Sequence, residues 1–327
     1  MKPSQIVAAL DTLLLIQQPA FLWGAPGVGK SQIVAQVARA HGLQLTDIRA
    51  VLLDPVDLRG LPRFTECGQV EWSTPTFLPR EGRGVLFLDE LNTAPPLVQA
   101  ACYQLILDRK LGEYTLPDGW SIIAAGNRDS DRAVTHRMPS ALANRLVHLD
   151  FEADLEDWLA WAETSGIHAG LRAFLRFRPK LLHSFHADRN EKAFPSPRSW
   201  EFVSRILHAK PDARTLYPLL KGAVGEAAAA ECTSFLRMMD ELPDAETVLR
   251  NPHSVSIPDD PAVVFALCEA VARQACVRTM PEVTTLASRL PVEFGVLLMR
   301  DAAANEPAIV ETDAFKGWAC ANSDVLV

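Results

Sequence analysis

The sequence predicts an α/β fold: a parallel sheet covered by helices in the first half of the chain, then an all-helical second half. Three observations carry this. Five short apolar runs, at 20–23, 48–53, 85–88, 121–125 and 146–151, are each bounded by Gly, Pro or polar residues, as buried parallel strands are. Segments with helical spacing lie before and between them. After Phe151 the strand pattern stops and helical spacing alone continues.

Taken in order, the first helix is expected at 5–16 behind a Ser4 cap, and the second at 31–41, ending at Gly42. A third is expected at 96–109, with proline in its first turn. Two stretches interrupt this rhythm. Residues 61–73 read as a hairpin with Glu66-Cys67-Gly68 as its turn and Phe64 and Trp72 on its arms. Residues 111–120 read as a second hairpin, turning at Pro117-Asp118-Gly119 and feeding the fourth strand. Further helices are expected at 155–163, 170–185, 199–208, 215–241, 261–277 and 291–304, with proline-rich breaks at 194–197 and 251–261. The chain therefore divides into an α/β domain (1–151, with hairpins at 61–73 and 111–120), a helical domain (152–240) and a helical extension (241–327).

Composition narrows the class. Hydrophobic residues make up 48% and charged residues 22% of the 327, which fits a globular protein with a large core. No apolar run reaches the roughly 18 residues that span a bilayer. The apolar stretch near the N-terminus is interrupted by Asp11, unlike a signal peptide, so a cytoplasmic location is expected. The six cysteines (67, 102, 232, 268, 276 and 320) form no C-x-x-C pair, which favours reduced thiols over a zinc site or disulfides. Net charge is −8, with 14 basic and 15 acidic residues in 1–150 against 18 and 25 in the remainder. Such an acidic balance argues against nucleic acid as a partner.

The chemistry concentrates in a few motifs. Gly24-Ala25-Pro26-Gly27-Val28-Gly29-Lys30-Ser31 fits G-x-x-x-x-G-K-[ST] between an expected strand and an expected helix. Such a loop turns backbone N–H groups onto phosphates at a helix N-terminus. Lys30 is suited to the β- and γ-phosphates and the Ser31 hydroxyl to Mg²⁺. The run 85–88 ends in Asp89-Glu90, and paired acids at the end of a buried strand need partners. With a phosphate loop upstream they have a use, Asp89 for the Mg²⁺ shell and Glu90 to orient and deprotonate the attacking water. Asn127, after Gly126, is placed to fix water and γ-phosphate if its strand lies beside that of Asp89. Arg145 and Arg198 are planar, permanently charged groups suited to developing phosphate charge, with Arg132 and Arg137 competing with Arg145 for a role between subunits. His183-x-x-His186 would set two imidazoles on one helix face, but no third metal ligand is in view.

Together with the stretch 138–145 and Pro197-Arg198-Ser199-Trp200, these motifs follow the order found in AAA+ ATPases, and the chain resembles the MoxR-type branch over about residues 4–240. The resemblance implies a five-stranded parallel core with helices on both faces, an all-α lid and a helical C-terminal extension. Carried across, Lys30 and Ser31 are the Walker A lysine and hydroxyl, Asp89 and Glu90 the Walker B pair, and Asn127 sensor 1. Arg145 is then the finger offered to a neighbouring subunit, and Arg198 the sensor 2 arginine. ATP and Mg²⁺ are the implied cofactors, and a hexameric ring the implied assembly. The implied client is a protein, among them those with a von Willebrand A domain, that the ATPase remodels or loads with metal. The hairpin 61–73 lacks an aromatic-hydrophobic-Gly pore loop, which argues against threading. The motor subunit of a nucleic-acid-processing or restriction-type complex and a chelatase motor subunit stand as alternatives. The absence of N-K-x-D favours ATP over GTP.

Overall fold

Short strands buried along nearly their whole length build the centre of the first half of the chain, in a computed structural model that describes residues 1–131, 138–188, 191–242 and 244–323. The strands, in chain order, are β1 (Ala20–Trp23), β2 (Gln44–Arg49), β3 (Leu61–Phe64), β4 (Val70–Ser73), β5 (Gly84–Asp89), β6 (Lys110–Leu111), β7 (Tyr114–Thr115), β8 (Trp120–Gly126) and β9 (Val147–Asp150). The helices of this half are α1 (Pro3–Leu15), α2 (Lys30–Ala40), α3 (Pro55–Arg59), α4 (Pro96–Asp108), α5 (Ser140–Ala143) and α6 (Leu155–Thr164). Five strands form one sheet in the order β2-β5-β8-β1-β9, and every neighbouring pair is parallel.

Successive residues of a strand point to opposite faces, so each central strand must be apolar throughout. On β5, Leu86 and Leu88 pack with α4 residues Val98, Cys102 and Leu105 on one face. Val85 and Phe87 pack on the other face with Ile6 and Leu10 of α1 and Val34 and Val37 of α2. The expected parallel sheet with helices on both faces is the fold the chain adopts.

Three local expectations need correction. The second strand runs over Gln44–Arg49 and not 48–53, because β2 is an edge strand that buries only Ile48 and needs no apolar run. Its pairing with β5 ends at Arg49 opposite Asp89, and Ala50–Leu52 turn as a 3-10 segment. The second hairpin turns at Gly112-Glu113, where Gly112 has φ +59°, and Leu111 pairs with Tyr114. Pro117–Trp120 is a separate turn, closed by the Trp120 N–H on the Pro117 carbonyl, that feeds β8. The first hairpin forms as expected, β3 pairing antiparallel with β4. Lastly, α1 begins at Pro3, ahead of the expected Ser4 cap; the Gln5 side chain accepts the Lys2 backbone N–H, and the Ser4 N–H donates to Asp157.

The chain separates into two compact units, 1–166 with 180–202, and 167–179 with 203–327. The second unit is helical among its described residues. The expected helix 170–185 stops at Phe177 before Pro179, and the expected 215–241 is two helices, Ala213–Val224 and Glu226–Glu241, parted at Gly225. Ala245–Arg250, Met280–Ala287 and Asp313–Ala321 are helices that the spacing did not predict.

Among the described residues of this unit two carboxylates are buried, Glu269 at 5% and Asp301 at 9% exposure. Arg176 Nη1 and Arg273 Nη2 reach the two Glu269 oxygens at 3.0 and 2.8 Å, and Arg176 also approaches Asp301 at 3.7 Å. Burial pushes the Asp301 carboxyl above its usual range. Removing one member of a buried ionic cluster strands its partners. Glu269→Ala should therefore cost about 3 kcal/mol, at the low end for buried pairs because both arginines keep some solvent contact. Urea unfolding followed by circular dichroism reads this directly, and an unchanged midpoint would show that the cluster carries no net stability.

Candidate functional site

Strand order decides which side chains meet. Because β8 lies between β1 and β5, the loop after β1, the acids after β5 and the amide after β8 converge at the C-terminal edge of the sheet. This is where open α/β sheets place their ligands. The loop Gly24–Ser31 leaves β1 with the Gly24 N–H bonded to the Gly126 carbonyl at 3.3 Å, and α2 begins at Lys30. Gly27 has φ +81°, and a Cβ there would stand 2.7 Å from Ser196 Oγ, so this position takes only glycine.

The Lys30 ammonium folds back onto its own loop. It donates to the Gly24 carbonyl at 2.5 Å, the Ala25 carbonyl at 3.2 Å and Asn127 Oδ1 at 3.1 Å. Burial lowers its pKa from the ordinary lysine value to about 8, an effect larger than the opposing pull of Asp89, Asp131 and Glu90; Arg198 lowers it further. Ser31 Oγ donates to Asp89 Oδ2 at 2.7 Å. A hydroxyl and a carboxylate in contact are hard oxygen donors of the kind Mg²⁺ takes alongside nucleotide phosphates and water.

Glu90 follows with φ 55° and ψ 33°, left-handed backbone that costs a non-glycine residue about 1–3 kcal/mol. The turn is held by the Glu90 N–H on Asp89 Oδ1 and by the Thr93 N–H and hydroxyl, both on the Glu90 carbonyl. The result is an exposed Glu90 beside a half-buried Asp89. Arg198 enters from the first turn of Pro197–His208, whose opening turns belong to the first unit. Ser196 and Ser199 exchange backbone-to-hydroxyl hydrogen bonds of 2.8 and 3.1 Å, a reciprocal cap, and the Arg198 N–H reaches the Gly27 carbonyl at 3.3 Å.

Beside Val28 and Gly29 the loop opens into a cavity of about 350 Å³ lined by Val7, Gln32, Phe151, Trp158, Trp161 and Pro197 among others. The buried Trp158 indole N–H has no hydrogen-bond partner among the described residues, which leaves a donor for a ligand.

The structure thus brings together Gly24–Ser31, Asp89, Glu90, Asn127 and Arg198. Arg145 lies elsewhere. It is exposed and precedes β9, whose first residue Val147 pairs with Ala20, so it sits at the opposite end of the sheet from the loop. Arg132 and Arg137 fall outside the described residues. His183 and His186 are not on a helix; His183 Nε2 lies 3.4 Å from the Pro26 carbonyl, and burial lowers its pKa. Among the described residues no three His, Cys, Asp or Glu side chains cluster to hold a metal, and no helix is long and apolar enough to cross a membrane.

Sequence reasoning missed Asn92, Asp131 and Ser196. Asn92 is 2% exposed and bonds the Asn127 backbone, Asp131 accepts the Arg128 N–H at 2.9 Å beside Lys30, and Ser196 seats Gly27. A polar residue two places after Asp89-Glu90, between Leu91 and the Thr93-Ala94-Pro95-Pro96 stretch, was the available signal for Asn92.

Residues 19–146 match the family profile described as AAA domain, dynein-related subfamily. Solved structures of similar shape include NtrX from Brucella abortus in complex with ATP, 16% identical, covering 92% of this chain and 67% of that one at a TM-score of 0.42. A RuvB mutant from Thermotoga maritima is 15% identical, covering 77% and 74% at 0.42. A putative ATPase from Cytophaga hutchinsonii is 16% identical, covering 90% and 79% at 0.37.

The low pKa of Lys30 has a consequence for binding. With a pKa of about 8 the ammonium is half deprotonated near pH 8, whereas a bound diphosphate would favour the charged form and raise the pKa. Binding of ADP without magnesium should therefore take up protons at pH 8.5 and weaken by about tenfold per pH unit above 8. Calorimetry in buffers of different ionisation heat measures the uptake. Affinity independent of pH between 7 and 9.5 would show that Lys30 stays charged without ligand.

Proposed function

We propose that this chain, which joins the AAA+ family through the dynein-related AAA domain at residues 19–146, hydrolyses ATP as a homo-oligomer and uses the cycle to remodel a partner protein. The observation that carries the reading is the meeting of Lys30, Ser31, Asp89 and Asn127 within a few hydrogen bonds at the strand ends.

In this account the triphosphate replaces the carbonyls of Gly24 and Ala25 as the acceptor for Lys30, and loop N–H groups turn to the phosphate oxygens. Ser31 and Asp89 hold Mg²⁺, which neutralises charge on the β- and γ-phosphates when bound. Glu90 takes a proton from water as its oxygen attacks the γ-phosphorus; the bond to the β-phosphate oxygen breaks and ADP leaves. The Asn127 amide orients that water, and Arg198 offsets charge from the helical side. The base occupies the cavity beside Val28, with Phe151 and Trp161 as apolar walls and the Trp158 N–H as a donor.

Arg145 supports the oligomeric part of the reading. At the far end of the sheet it has no path to its own loop, but an exposed arginine there is available to a neighbouring copy. A hexameric ring is the closed assembly proposed, of the MoxR kind. The client is proposed to be a protein with a von Willebrand A domain, or one that receives a metal or cofactor. The exposed apolar residues of the first hairpin, Leu61, Phe64, Val70 and Trp72, give such a client a surface to meet.

Glu90→Gln should retain nucleotide binding and lose phosphate release by roughly 100-fold or more, measured in steady-state turnover. Wild-type turnover in that variant would remove Glu90 from the chemistry. Arg145→Ala should likewise be inactive while a single copy binds nucleotide normally, and mixing the two variants should restore part of the activity at hybrid interfaces. Full activity of Arg145→Ala alone would move the inter-subunit role to Arg132 or Arg137.

A further inference from the structure

The amide of Asn127 can order a water only if its own backbone is held, and no regular element holds it. β8 ends at Gly126, and its paired neighbours stop there or earlier, at Trp23 of β1 and Leu88 of β5. The backbone N–H and C=O of Asn127 are instead both bonded by one side chain. Asn92 Nδ2 donates to the Asn127 carbonyl at 2.8 Å, and the Asn127 N–H donates to Asn92 Oδ1 at 3.2 Å. A primary amide placed this way replaces both partners a neighbouring strand would have supplied.

Two further features show that the clamp is built. Gly126 lies so close that a Cβ there would sit 2.1 Å from Asn92 Oδ1, so the glycine admits the amide. The turn carrying Asn92 is braced in turn by Gln99 of α4, 3% exposed, whose Nε2 donates to the Ala94 carbonyl at 2.8 Å and the Asn92 carbonyl at 3.4 Å. The Tyr103 hydroxyl donates to Gln99 Oε1. Asn127 passes the constraint on through its Oδ1 to Lys30.

We infer that Asn92 is a positioning residue for the hydrolysis reaction: it ties the backbone of Asn127 to the turn after Asp89-Glu90, so that the amide on one strand and the acids on the next move as one body. The inference rests on the ATPase reading above. Asn92 is buried with both its amide atoms bonded to the Asn127 backbone, so its effect should fall on kcat and not on nucleotide affinity. A displacement of about 1 Å in an orienting group is enough to cost roughly 100-fold in rate.

The test compares wild type, Asn92→Ala and Asn92→Asp in the full chain by ATP turnover, by ADP titration and by hydrogen exchange at the Asn127 amide. Asn92→Ala should lower kcat by about 100-fold, leave ADP affinity unchanged and release protection at Asn127. Asn92→Asp keeps the size and the acceptor but faces the Asn127 carbonyl with a second acceptor, so its kcat should fall between the other two. It decides the question if the alanine variant does not fold. Unchanged protection at Asn127 overturns the clamp, and released protection with unchanged kcat overturns its role in the reaction. Loss of affinity in proportion to kcat would mark a general structural defect and overturn it as well. An inactive wild type would instead defeat the ATPase reading itself.

Discussion

A lysine ammonium taken out of water has to find either acceptors or an anion, and the architecture around Lys30 answers that need. The charge is met by two carbonyls of its own loop and by Asn127. None of these is ionised, so desolvation prevails and the pKa falls. An anion that enters gains a cation already stripped of water and releases carbonyls that were only substitutes.

The sheet exists in the order that makes this possible. Inserting β8 between β1 and β5 sets an amide between the lysine and the acids, and the edge strand β2 pairs with β5 as far as Arg49 opposite Asp89. Apolar burial on both faces fixes the height of each strand, since a slip of one residue would turn Leu86 and Leu88 toward α1 and α2. Core packing and site geometry are therefore one constraint. The left-handed backbones beyond these strand ends, at Gly27, Gly29 and Glu90, occur where the chain leaves this packed frame.

Much of this was legible in the sequence because residue type and function coincide. Gly24–Ser31 and Asp89-Glu90 combine glycine, lysine, hydroxyl and carboxylate at spacings that packing alone does not demand. Buried central strands were legible for the same reason, through their unbroken apolar runs. The edge strand β2 was misplaced because a strand buried at one residue carries no such run, and the apolar residues after it belong to a turn. The Gly112 turn was hidden by the stronger Pro-Asp-Gly signal five residues on. Asn92 was illegible for another reason. An asparagine near a strand end reads as a turn former, and only the spatial approach of β8 reveals that its amide bonds another strand's backbone.

The nucleotide site proposed for this chain is complete only when a second copy supplies an arginine to it. Phosphate release by the wild-type protein with ATP and magnesium, measured across a wide range of protein concentration, tests this most directly. Specific activity should rise with concentration and reach a plateau as the oligomer forms. Specific activity that stays constant down to concentrations where the protein is monomeric, or no phosphate release at any concentration, would contradict it.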